Sequence, residues 1–139
     1  MLIGEYSYTI DEKGRLGFPS KFREALGEPF LVTRWLDDCL VAFAQAEWER
    51  IWALLSEKSM VKSRDIQRFL YAGAMEAQPD KQGRILLTAA LRRHAHLEKE
   101  VTVIGVGGHA EIWSAPAWQR KSESLRAGPI AAAMEELEF

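Results

Sequence analysis

The 139 residues predict an α+β protein built by internal duplication, with two copies of one small motif related by a pseudo-two-fold axis. Three observations carry this reading. First, Asp11-Glu12-Lys13-Gly14-Arg15 returns 69 residues on as Asp80-Lys81-Gln82-Gly83-Arg84. At average residue usage, Asp-x-x-Gly-Arg starts at roughly 2 in 10,000 positions, so two copies in so short a chain argue for common origin. Second, the flanks repeat in the same register: Gly4 matches Gly73, Leu16 matches Ile85, Phe22 matches Leu91 and Arg23 matches Arg92. Third, each copy of about 50–60 residues can barely bury a core by itself, a problem that interlocking the copies solves.

The elements follow in order. Residues 5–10 are rich in aromatic and β-branched types and read as a strand. Asp11 to Gly14 reads as a type I turn, with Asp at its first position and Gly at its last. Residues 15–18 resume as a strand. Ser20 is the expected N-cap of a short helix that turns Phe22, Ala25 and Leu26 inward and stops at Gly27. Strands at 30–33 and 39–43 flank a connection at 35–38. From about Ala46 to Lys58, Trp48, Ile51, Trp52 and Leu55 fall at i, i+3, i+4 and i+7, the stripe of an amphipathic helix. Ser63 is the expected cap of a connecting helix with Ile66, Phe69 and Leu70 facing inward, stopped by Gly73.

The pattern then replays. Residues 74–78 form a strand into the second turn, 85–87 a strand, and Thr88 caps a short helix through Leu91 and Ala95. Residues 100–106 and 110–113 form a hairpin turned at Gly107-Gly108. Ser114 opens a helix carrying Trp118, the counterpart of Trp48, which Gly128-Pro129 breaks. Four segments result: a first unit at 4–58, a connecting helix at 59–72, a second unit at 73–126, and an acidic tail at 127–139 that is either a short amphipathic helix or frayed.

Charge is unevenly spread. The formal net charge is −2, yet residues 13–23 hold Lys13, Arg15, Lys21 and Arg23 with no acid, and residues 81–93 hold Lys81, Arg84, Arg92 and Arg93 with no acid. The rest of the chain is strongly acidic. Such a background suppresses non-specific attraction to DNA and focuses it at the two patches. No apolar run approaches the roughly 18–20 residues of a membrane span. Met1-Leu2-Ile3-Gly4-Glu5 has no basic stretch followed by an apolar core, so no secretory signal is expected. Cys39 is the single cysteine and reads as a small buried apolar residue, so a reducing cytoplasm is the expected default compartment.

The run Gly4-Glu5-Tyr6-x-x-Thr9-Ile10-Asp11-Glu12-Lys13-Gly14-Arg15-Leu16, followed by Pro19-x-Lys21-Phe22-Arg23, resembles the first half of the bacterial MraZ transcriptional regulators. Asp80 to Leu86, Val103-Ile104-Gly105-Val106-Gly107 and Glu111-Ile112-Trp113-Ser114 resemble the second half, so the likeness covers about residues 1–120. It implies two tandem AbrB/SpoVT-like swapped-hairpin units interleaved into a β-barrel with flanking helices, each unit marked by Asp-x-x-x-Arg. It also implies a homo-oligomeric ring that binds repeated elements of double-stranded promoter DNA ahead of a cell-division and cell-wall gene cluster. Three positions depart from the family pattern: Gly17 replaces a bulky apolar residue, Thr88 replaces a proline, and Gln82 stands where the first copy has Lys13.

The residue types suit such a loop. An arginine fork reads guanine O6 and N7 or clamps a phosphate, and a nearby carboxylate holds the fork in one orientation. Arg15 and Arg84 are therefore the expected readers, with Lys13 and Lys81 on phosphates. Asp11, Gly14, Asp80 and Gly83 are the expected loop-orienting residues. Lys21, Arg23 and Arg92 are secondary contacts, although Arg23 and Arg92 equally suit a solvated face or a structural ion pair. The first loop, with its extra lysine and the more flexible base at Gly17, is expected to dominate.

Other chemistries fit less well. Gly105-Val-Gly-Gly108 is followed by a strand, not the helix of a nucleotide-binding turn. His94, His96 and His109 read as surface histidines, so no metal or cofactor is expected. No nucleophile–base pair stands out, which argues against an enzyme. Two rival readings remain: an antitoxin-like protein whose C-terminal tail captures a protein partner, and a structural oligomer whose loops merely cap a barrel.

Overall fold

The computed structural model describes residues 1–126 and 128–139. Among these lie eight strands and six α-helices. The first set is β1 (Glu5–Thr9), β2 (Arg15–Gly17), α1 (Ser20–Leu26), β3 (Phe30–Arg34), β4 (Leu40–Phe43) and α2 (Gln45–Ser56). Helix α3 (Met60–Ala72) connects it to β5 (Met75–Ala77), β6 (Arg84–Leu86), α4 (Ala89–His94), β7 (Glu100–Gly105), β8 (Ala110–Ser114) and α5 (Ala115–Ser124), and α6 (Gly128–Glu136) follows. The order strand, strand, helix, strand, strand, helix thus occurs twice, as the duplication predicts.

Pairing joins the halves. Six strands form one antiparallel sheet in the order β1-β7-β8-β4-β3-β5, and β2 pairs with β6 in a separate ribbon. Exchanging the halves maps this order onto itself. The first strand of each half pairs with the third strand of the other: Tyr8 lies opposite Val101, and its counterpart Ala77 opposite Phe30. Two pairs sit where the symmetry meets itself, Leu16 opposite Ile85 in the ribbon and Val41 opposite Glu111 between β4 and β8.

Burial follows from this. All four residues of β4 and the first four of β3 are buried, so these central strands read as continuous apolar runs with no alternation. The main core draws Leu16, Phe18, Phe22 and Phe30 from the first half and Ile85, Leu87, Leu91 and Ile112 from the second. Each fully buried aliphatic side chain here contributes on the order of 1.5–3 kcal/mol. A smaller cluster of Cys39, Ile104 and Trp113, with Trp35 and Trp118 packed on it, forms a second apolar cluster.

Several boundaries differ from expectation, each for a local reason. Helix α3 is capped by Ser59, whose Oγ accepts from the Lys62 amide at 3.3 Å; Ser63 lies buried inside the helix and donates to the Ser59 carbonyl. Helix α1 starts after Pro19, which needs no side-chain cap, so Ser20 is its first helical residue and caps nothing. Ala25, Trp52 and Ile66 face solvent, because α1 to α3 bury narrower stripes than their periodicity suggests. Helix α5 ends at Ser124, before the expected break at Gly128. Thr88 and Ser114 cap α4 and α5 as expected, and Gly107, at φ 86°, turns the β7–β8 hairpin. The tail forms α6, exposed along its length.

Candidate nucleic-acid interface

Each half folds its Asp-x-x-Gly-Arg stretch into the same locked turn. Asp11 Oδ1 accepts from the amides of Lys13 (3.0 Å) and Arg15 (2.9 Å), and Oδ2 accepts from Arg15 Nε at 2.6 Å. The main chain closes the turn, with the Gly14 amide donating to the Asp11 carbonyl and the Asp11 amide to the Arg15 carbonyl, each at 3.0 Å. In the second half Asp80 Oδ1 accepts from the amides of Gln82 and Arg84, both at 2.9 Å, and Oδ2 from Arg84 Nε at 3.1 Å. The carboxylate thus satisfies the turn and aims the guanidinium together. Since position 13 or 82 supplies only its amide, Lys13 and Gln82 fit the same turn.

The lock is also electrostatic. The Arg15 amide, with help from the Arg15 side chain and the Lys13 amide, holds the Asp11 carboxyl below the usual carboxylate range. The Arg84 amide does the same for Asp80, aided by Gln82 and the Arg84 side chain. With Nε engaged, Nη1 and Nη2 of Arg15 and Arg84 have no protein partner among the described residues.

The ribbon aims both forks at one surface. Leu16 and Ile85 point into the core, so by alternation Arg15, Gly17, Arg84 and Leu86 share the outer face. The Arg15 and Arg84 side chains are 38% and 35% exposed, and Leu86 is 57% exposed between them. Lys13, Lys81 and Lys21 are exposed and carry no ion pair among the described residues.

Among the described residues, Arg23 and Arg92 form neither a fully solvated face nor a structural ion pair. They are half-buried, and neither is paired with a carboxylate among the described residues. Each packs on the loop glycine of the opposite half: a Cβ on Gly14 would fall 2.9 Å from Arg92 Nε, and one on Gly83 2.8 Å from Arg23 Cζ. Gly14 and Gly83 also stand at φ 92° and 78°, so glycine is required there twice over.

Gly17 is not a flexible base. It is paired within β2, and the Tyr8 ring fills the space its side chain would take, 2.7 Å from a built Cβ. The counterparts Leu86 and Ala77 invert the sizes. That exchange of large for small at matched positions is visible in the aligned copies.

The remaining candidates scatter. His94 Nε2 lies 3.0 Å from the Trp35 carbonyl, and His96 is exposed at φ 54°. His109 is not a surface residue: it is half-buried against Phe43 and Trp35, 3.6 Å from Glu111. Among the described residues no cluster of His, Cys, Asp and Glu is placed to hold a metal. Cys39 is buried, its thiol donates to the Leu36 carbonyl, and burial pushes the thiol far up. No described helix is long and apolar enough to cross a membrane.

Fold and site define a class: an internally duplicated α+β protein that presents one aspartate-locked arginine turn from each half on a shared ribbon. Comparison with known proteins agrees. The family described as "MraZ protein, putative antitoxin-like" matches twice in tandem, over residues 1–69 and 70–138. A protein of Caldicellulosiruptor saccharolyticus named "Transcriptional regulator MraZ" is 49% identical over 99% of both chains. Proteins of the same name from a Thermoanaerobacter species and from Caldanaerobacter subterraneus are each 48% identical over 89% of this chain and 88% of theirs. The chain belongs to the MraZ family.

Proposed function

We propose that this chain is a sequence-specific DNA-binding transcriptional regulator without enzymatic activity, acting on repeated promoter elements of a cell-division and cell-wall gene cluster in the nucleoid. The observation that carries the reading is the identical locking of Arg15 and Arg84, whose free Nη groups share an exposed ribbon face in two otherwise acid-free segments. The names of its relatives support regulation. Arg15 and Arg84 read bases, Lys13 and Lys81 neutralise phosphates, and Lys21 adds a further contact; Asp11, Asp80, Gly14 and Gly83 shape the loops. The exchange of first strands between units at 4–58 and 73–126, joined by 59–72, supports a swapped-hairpin β-barrel. Two loops touch few bases, so a homo-oligomeric ring supplies affinity by engaging repeated sites together.

A gel shift on duplex DNA from upstream of its own gene tests this. Arg15→Ala is expected to weaken specific binding while the oligomer mass stays unchanged; unaltered specific binding removes Arg15 from the interface.

A second reading has one observation in its favour. Helix α6 leaves Ile130 and Met134 exposed one turn apart, exposed Leu137 follows just past its end, and the family description reads antitoxin-like. In that reading the tail binds a protein partner. Deleting residues 127–139 then abolishes partner capture and leaves DNA retention intact.

A further inference from the structure

Each loop rests on an arginine that arrives from the other half. Helices α1 and α4 directly follow β2 and β6, and antiparallel pairing of those strands carries each helix beside the opposite loop. The main chain marks the junction. The Leu87 amide donates to the Gly14 carbonyl at 2.9 Å, and the Phe18 amide donates to the Gly83 carbonyl at 3.3 Å. Arg92 and Arg23 lie over these same joints.

Arg23 Nε donates to the Phe18 carbonyl at 3.2 Å, tying the strand end that holds the Gly83 loop. Arg92 Nε is buried with no hydrogen-bond partner among the described residues, and this edge of the guanidinium packs against Gly14. A planar fork stacks on a glycine Cα in a way an ammonium does not. Any side chain at position 14 or 83 meets the fork or the backbone at about van der Waals overlap, down to 2.8 Å.

We propose that Arg23 and Arg92 are crossed positioning residues: Arg92 holds the Gly14 loop and Arg23 the Gly83 loop, so each DNA-facing arginine is presented by both halves at once. The idea rests on reading the loops as the DNA-contacting elements, but its structural part stands apart from DNA.

The test uses the full chain and begins without DNA. In Arg92→Gln, amide exchange at Arg15 is expected to speed about tenfold, equivalent to ~1.4 kcal/mol of local opening, while Arg84 is unchanged. Arg23→Gln gives the mirror image. Arg92→Lys keeps the charge and loses the plane, and shows the same crossed effect should Arg92→Gln fail to fold. Faster exchange in the loop of the same half, equally in both, or in neither overturns the proposal.

On promoter duplex, Arg92→Gln is expected to be non-additive with Arg15→Ala and additive with Arg84→Ala; additivity with both marks an independent DNA contact and overturns it. A crossed exchange pattern with DNA binding indifferent to Arg15→Ala refutes the DNA reading alone. An uncrossed pattern with binding dependent on Arg15 refutes the crossing alone.

Discussion

The two loops are the same turn set on different ground. Their hydrogen bonds match one for one, down to the carboxylate oxygen that takes each donor. Their surroundings do not: Lys13 faces Gln82 across the duplication, Gly17 with Tyr8 faces Leu86 with Ala77, and Pro19 faces Thr88. What the turn needs is a carboxylate, two amides, a positive-φ glycine and a guanidinium; other positions were free to diverge. Geometry is therefore shared between the halves, and chemistry at the surface is not.

The comparison can be pressed hardest at the symmetric centre. Leu16 and Ile85 are directly paired and both buried, so truncating either to Ala should cost about 2–5 kcal/mol by the cavity mechanism, and nearly equally. Denaturant titration measures this; a difference beyond about 2.3 kcal/mol, the spread known for one chemistry, would mean that one half carries the fold.

At the loops, Arg15→Ala and Arg84→Ala should each cost about 1–3 kcal/mol of specific DNA binding, with Arg15 the larger. Equal losses in a gel-shift titration would show that the flanking differences are silent.

Next comes the inverted pair. Gly17→Leu drives a side chain into the Tyr8 ring and should cost about 1–3 kcal/mol, the usual size of overpacking, and Tyr8→Ala in the same chain should recover most of it by copying the second half. No recovery in thermal melts would refute the size exchange.

A smaller effect separates Lys13 from Gln82. Lys13→Gln should flatten the salt dependence of binding by about one phosphate contact, and Gln82→Lys should steepen it by the same amount, leaving the turn intact.

The smallest response concerns acid. Both carboxyls are depressed by hydrogen bonds from the following arginine's amide, so their folded pKa values lie below the unfolded ones. Their contribution is complete above the ordinary carboxylate value near ~3.9 and is lost as pH falls through the folded values. Carboxyl chemical shifts of Asp11 and Asp80 should therefore stay flat from neutrality to mild acid, then move together; separate titration would show that only one turn is locked.

Much of this was legible in the chain because it is local chemistry. The repeated pentapeptide, the Trp48 to Leu55 periodicity, the caps at Thr88 and Ser114 and the glycine hairpin all act within a few residues. Pairing of β1 with β7 and β5 with β3 spans too many residues to leave a local mark. Ser59 and Ser63 are equally good caps in isolation, and only packing of α3 chooses between them. Arg23 and Arg92 look like free surface charge until the opposite glycine is brought beneath them.

The exchanged first strand sets a timetable for synthesis. Glu5 pairs with Ile104, so β1 leaves the ribosome long before its partner exists. At roughly 5–20 residues per second, the wait is on the order of 5–20 seconds. Meanwhile β3 and β4, adjacent in sequence, can already form their hairpin. The strand carrying Tyr6 and Tyr8 has no β7 to pair with through that interval. The duplication that lets one chain complete its own sheet thus also makes closure of that sheet wait until nearly the whole second half has been made.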